Sequence, residues 1–243
     1  MAAPSSVPDP ARTRYDRMRW NTPLSQDHAA LLLERLAVGE GDRVTDLGCG
    51  WGELLLQAVE SAGATGIGVD TDSDGLERGR ALAVARGLDS RVRFVEAEGA
   101  SWDEPADRLL CIGSSHVLGG TGPALARLAE LTPRGGRLLF GDACWTAPPT
   151  AVAAEMFEEV ESLTDLLEHV HASGWRVLHL STADQREWDD FESTWRAARQ
   201  EWLIRHGDDD RAPEVRSRLD AQLDAYVRTY RGVLQFCYLV LGR

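Results

Sequence analysis

Residues 44–53, VTDLGCGWGE, read as a buried strand that runs into a glycine-rich turn and opens a helix. Asp46 stands just before the glycines, and Gly48, Gly50 and Gly52 alternate through the turn. A second short apolar strand, 67–69, ends in Asp70, twenty residues after Gly50. Glycines in such a turn let a ligand approach the backbone, and a carboxylate at that distance accepts from ribose hydroxyls. The two strands therefore predict a nucleotide-binding βαβ unit.

The kind of nucleotide follows from what is missing. A dinucleotide fingerprint needs a third glycine three residues after the second, where this chain has Glu53. Asp46 would also repel a pyrophosphate, which a helix start alone attracts. A ligand with positive charge and no phosphate fits better. S-adenosylmethionine, with an ammonium, a sulfonium and a ribose, is such a ligand. The plainer alternative, a glycine turn with Asp46 as a helix cap, leaves the spacing of Asp70 without a reason.

At 243 residues the chain is long enough to bury a full core in one α/β domain with an elaboration. Its net charge of −13 argues against a nucleic-acid partner, because phosphate binding draws on clustered basic residues. Every basic residue apart from histidine is arginine, so Schiff-base chemistry on a lysine is excluded. The four cysteines, Cys49, Cys111, Cys144 and Cys237, lie far apart in or beside apolar strands and read as reduced, mostly buried thiols. No metal is expected. Residues 70–75, DTDSDG, imitate the start of a calcium loop, but its twelfth position is Ala81 and a strand precedes it. His169 and His171 are two apart on a predicted helix and face different ways. The first dozen residues lack an apolar signal core and no stretch is long enough to span a membrane. A cytoplasmic protein with a loose tail over 1–20 and one domain over 21–243 is expected.

Strands and helices alternate along that domain. A helix starting at Thr22-Pro23 or Ser25 should end at Gly39 and Gly41. Strands are expected at 43–47, 65–70, 92–97, 109–112, 137–142, 175–180 and 233–241, and helices at 52–61, 73–86, 123–131 and 155–172. This alternation predicts a doubly wound, mostly parallel sheet. Before the last strand come about fifty residues of helical periodicity, more than a turn needs, so 184–231 is expected to pack as a cap, a flank or a dimer contact. The oligomeric state, monomer or homodimer, stays open.

In order along the chain, these features resemble the class I S-adenosylmethionine-dependent methyltransferases. Asp46–Glu53 looks like the family's first motif, Gly68-Val69-Asp70 like its second and residues 91–98, RVRFVEAE, like its third. At the position that usually carries an Asp facing the adenine amino group, this chain has Glu98. Pro133-Arg134-Gly135-Gly136 resembles the turn before the fifth strand. The resemblance implies a Rossmann-like seven-stranded sheet of order 3-2-1-4-5-7-6 with the last strand antiparallel. It implies that Asp46 and the Gly48–Gly52 turn hold the methionine portion, Asp70 the ribose, and Glu98 with Gly99 the adenine. Cys49, Thr71, Ala100 and Cys111 adjoin these positions and complete the expected cofactor contacts. Residues 111–116, CIGSSH, with Phe140-Gly141-Asp142 and Asn21-Thr22-Pro23-Leu24-Ser25, look like a bacterial small-molecule subgroup. The Asn/Asp-Pro-Pro-aromatic motif of amino-methylating DNA and glutamine enzymes is absent, which also favours a small-molecule acceptor.

Methyl transfer is a direct displacement that needs alignment, exclusion of water and, for a hydroxyl acceptor, removal of a proton. His116, after the fourth strand, is the expected proton acceptor or orienting group, and hydrogen bonding to the Gly119–Gly122 loop is the competing role. Asp142 is expected either to orient the acceptor or to cap a helix. Tyr15 and Arg19 are placed to close over the cofactor. Among the eight tryptophans, Trp20, Trp145, Trp188, Trp195 and Trp202 suit an aromatic wall, although the last three recur every seven residues, as ordinary helix packing does. Two rival functions keep the fold: use of the sulfonium for aminopropyl-carbon transfer or cyclisation, and a non-catalytic interaction protein.

Overall fold

The computed structural model describes residues 7, 9–10 and 15–243, so most of the expected 1–20 tail lies outside the described residues. Seven strands form one sheet: β1 (Arg43–Leu47), β2 (Thr65–Asp70), β3 (Val92–Glu96), β4 (Arg108–Ile112), β5 (Arg137–Trp145), β6 (Arg176–Thr182) and β7 (Leu234–Gly242). Their order is β3-β2-β1-β4-β5-β7-β6, as expected. The five strands from β3 to β5 are parallel, and β7 runs antiparallel to both β5 and β6.

Two apolar layers cover the sheet. On one face α1 (Gln26–Leu36), α2 (Glu53–Ala62) and α3 (Ser73–Ala85) bury Leu32, Leu36, Leu55, Leu56 and Leu76 completely. On the other, α4 (Thr121–Leu131) and α6 (Leu163–Ala172) bury Leu125, Leu128 and Val170 against Leu109, Cys111 and Phe140. Burial of this kind is worth roughly 1.5–3 kcal/mol per large side chain and carries most of the fold's stability.

Local chemistry moves several expected boundaries. Helix α1 begins as Ser25 Oγ accepts from the His28 N–H at 3.2 Å, but it ends at Ala37, in a left-handed conformation with φ 52°, before Gly39 is reached. The single helix expected over 155–172 is two, α5 (Ala151–Met156) and α6. Ser162 and Asp165 form a reciprocal capping box that starts α6 afresh. The Trp145 N–H donates to the Glu161 carbonyl at 2.8 Å, which ties the break to the end of β5. Strand β5 runs to Trp145 because β7 pairs with it over its whole length.

The long connection folds as α7 (Gln185–Arg205), α8 (Ala212–Ala225) and a π-helical turn, Tyr226–Tyr230. The start of α7 is tied to α1: the Ser25 N–H donates to Glu187 at 2.8 Å and His28 Nδ1 lies 3.0 Å from the same carboxylate. Burial alone would raise the Glu187 carboxyl, but hydrogen bonds from His28, Ser25 and Asp184 bring it down to about 2. No helix among the described residues is long and apolar enough to cross a membrane.

Candidate active site

A cavity of about 540 Å³ opens at the carboxyl ends of β1, β2 and β4, where the strand order reverses. Register puts Asp46 opposite Gly68 and Leu47 opposite Val69, so the two strand ends deliver Asp46 and Asp70 to the same hollow. Gly48 and Cys49 both donate to the Val69 carbonyl, at 2.9 and 3.1 Å, which folds the glycine turn back over β2.

The two carboxylates differ in character. Asp70 is held by two backbone donors, Gly50 N–H at 2.7 Å and Asp72 N–H at 2.9 Å, one on each oxygen. Its position is set before any ligand arrives. Asp46 is 6% exposed, and burial, then the charge of Asp70, push its pKa up to about 7. A buried carboxyl in that condition suits a cationic partner, which would remove the repulsion and draw out the ionised form.

Of the residues expected from the sequence, Asp46, Gly48, Cys49, Gly50, Asp70, Thr71, Glu98, Gly99 and His116 line the cavity. Gly48 has φ 76°, and a Cβ there would come within 2.3 Å of Ser114 Oγ. Gly50 has φ 54° with nothing within 4 Å of a Cβ position. Four expected residues are not among the lining side chains. Gly52 packs beneath the Phe94 ring, which a Cβ would meet at 2.5 Å. Ala100 is exposed on the short turn Gly99–Ser101, and Cys111 is wholly buried in β4, with its thiol pushed far up by burial. Asp142 accepts from the Ala143 N–H at 2.9 Å and from Ser115 and Thr121, and burial raises it against those bonds. These bonds tie it to the loop after β4 and the start of α4, and His116 is close enough to act on its charge.

His116 stands exposed at the cavity lip between Ser114 and Val117. Tyr15, Trp20, Asn21, Thr22 and Trp51 also line the cavity. Trp51 and Asn21 are the residues that reasoning from sequence missed; the available signal was the position of Trp51 between two motif glycines. Trp51 also anchors a strap: its Nε1 donates to the Arg19 carbonyl, and the Arg78 guanidinium lies 4.2 Å from its ring centroid. Arg78 in turn donates to the carbonyls of Tyr15 at 3.0 Å and Met18 at 2.7 Å, which holds the 15–22 segment across the cavity mouth. The Arg19 guanidinium turns away, to Gln26.

A switch-point cavity holding paired carboxylates and a glycine turn, on a sheet of this order, defines a class I S-adenosylmethionine-dependent methyltransferase. Residues 23–183 match the model of the mycolic acid cyclopropane synthetase family, and the chain belongs to that family. It is 30% identical over 217 residues to the protein YjhP of Escherichia coli K12, covering 86% of this chain and 88% of that one. A methyltransferase from Geobacter sulfurreducens, crystallised with S-adenosylhomocysteine, superposes with a TM-score of 0.85 at 27% identity, over 97% of this chain and 98% of that one. One from Thiobacillus denitrificans, with the same ligand, gives 0.85 at 28% identity, over 98% and 99%.

Proposed function

We propose that the chain transfers a methyl group from S-adenosylmethionine to a small-molecule acceptor. The observation that carries this reading is the Asp46–Asp70 pair: one buried carboxyl raised to about 7 and one held by two backbone donors, facing a single cavity. Asp46 would hold the ammonium of the methionine portion, Asp70 the ribose hydroxyls, and Glu98 with Gly99 the adenine edge. When bound, the cofactor supplies a methyl group already activated by its sulfonium.

The chain's own residues do the rest. Trp51, Tyr15 and the 15–22 strap exclude water from the mouth, as a displacement at carbon requires. His116 lines the cavity with an exposed ring, placed to orient an acceptor or to take a proton from a hydroxyl. The net charge of −13 supports an acceptor other than a nucleic acid. The test is to incubate the protein with S-adenosylmethionine labelled on its methyl group and a metabolite extract. Label in the low-mass fraction together with S-adenosylhomocysteine supports the reading. Release of methylthioadenosine instead would move the reaction to the aminopropyl carbon.

A further inference from the structure

A second cavity, of about 680 Å³, lies between the 15–22 strap and helices α2 and α3. The strap borders both hollows: Tyr15 and residues 20–22 line the cofactor cavity, whereas Arg17, Met18 and Arg19 line this one. Four arginines meet here, Arg17 and Arg19 from the strap, Arg78 from α3 and Arg86 from just beyond it. The described lining of the cofactor cavity holds carboxylates and no arginine. In a chain of net charge −13, a cavity with this many cations is a local reversal of sign.

Two carboxylates also line the second cavity, and Arg86 takes both, Glu53 at 2.6 Å and Glu60 at 4.0 Å. The other three guanidiniums have no ion pair to a lining carboxylate among the described residues. Arg17 pairs at 2.7 Å with Glu201, which stands outside the lining; the two side chains are 55% and 38% exposed, and such pairs contribute little and exchange readily. Arg19 meets the neutral amide of Gln26. Arg78 donates to the Tyr15 and Met18 carbonyls. Burial lowers its pKa, and Asp16 and Glu53 act on its charge from beyond ion-pair distance, in the opposite direction. The planar fork of a guanidinium matches phosphate oxygens, and several forks around one hollow suit an anion with more than one negative charge. An anion seated here would meet Arg78 on α3 and Arg17 and Arg19 on the strap together, joining the strap to the helix beneath it.

We propose that this cavity binds a small phosphate-bearing anion, and that the bound anion clamps the strap over the cofactor cavity. Inorganic polyphosphates and phosphate esters offer the same oxygens. The anion site stands apart from the methyl-transfer reading; its effect on the cofactor rests on the neighbouring cavity taking S-adenosylmethionine.

The test is calorimetric titration of the full chain, at constant ionic strength, with inorganic pyrophosphate and with fructose 1,6-bisphosphate. At least one should bind one-to-one, both to the free protein and to protein saturated with S-adenosylhomocysteine, where the cofactor cavity is filled. The tighter of the two distinguishes an inorganic anion from an ester. R17M and R19M should each weaken that binding tenfold or more, and R19K should keep part of it. In stopped-flow fluorescence, the saturating anion should slow release of S-adenosylhomocysteine about threefold or more. No binding of either anion, or an affinity unchanged in R17M and R19M while their urea unfolding stays cooperative, overturns the proposal. A release rate that the bound anion does not move overturns the clamp. Should S-adenosylhomocysteine itself not bind, the cofactor reading fails, and titration of the free protein still decides the anion site. Should the methionine variants not fold, R19K carries the comparison.

Discussion

Replacing Asp46 by Asn should make the cofactor-free protein more stable and the cofactor-bound protein weaker. Burial and the neighbouring Asp70 raise the Asp46 pKa from 3.8 to about 7. An acid whose folded pKa lies above its unfolded value binds more protons when folded, so stability falls as pH rises between the two and is fully lost above the folded pKa. At about 1.4 kcal/mol per pH unit, the ionised Asp46 costs up to about 4 kcal/mol above pH 7. Between about pH 5.5 and pH 8 the stability advantage of D46N over the wild type should therefore grow by about 2 kcal/mol. Urea unfolding of both proteins without cofactor, at several pH values, measures this directly. Adding S-adenosylhomocysteine at about a hundred times its dissociation constant should stabilise the wild type by about 2.7 kcal/mol and D46N hardly at all. A D46N protein that is less stable than the wild type at pH 8, or an advantage that does not change with pH, would refute the reasoning.

Asp70→Ala removes the proposed ribose acceptor and frees the Gly50 and Asp72 N–H groups, so affinity for S-adenosylhomocysteine should fall by about a hundredfold or more, read by calorimetry. His116→Ala should lower turnover with the cofactor dissociation constant nearly unchanged; full activity would remove His116 from the chemistry. Arg78→Met releases the Tyr15 and Met18 carbonyls and the stack on Trp51, and should speed cofactor dissociation in stopped-flow fluorescence. Gly68→Ala puts a Cβ 2.8 Å from the Phe94 ring and 2.9 Å from Cys49 Sγ, and should cost about 1–3 kcal/mol in urea unfolding.

The glycine turn, the strand-end carboxylates and the alternation of strands and helices were legible because each rests on local spacing: alternating glycines, a strand-to-Asp distance, and apolar runs separated by capped helices; the strand order came only with the resemblance to the class I methyltransferases. The split of α5 from α6 was also written locally, in the Ser162–Asp165 capping box, but continuous helical periodicity concealed it. The end of α1 at Ala37 rather than Gly39 was not legible, since alanine seldom adopts a left-handed conformation. Cys111 and Asp142 came from the strand ends that feed the site, yet pleating and loop hydrogen bonds turn them elsewhere, and sequence alone does not say which face a strand-end residue takes. Trp51 and Asn21 depend on the 15–22 segment folding back across the cavity, a contact between distant parts of the chain. The tryptophans spaced by seven do not act as one stripe: Trp188 joins the central apolar cluster, whereas Trp202 belongs to a separate one with Leu203 and Leu219.

The central claim, that the Asp46–Asp70 cavity takes S-adenosylmethionine, is tested most directly by calorimetric titration of the protein with S-adenosylmethionine, S-adenosylhomocysteine and NAD. Binding of the first two in about the micromolar range, lost in D70A, with no heat from NAD, is the predicted result. Binding of NAD, or no binding of either sulfur ligand, would contradict the account.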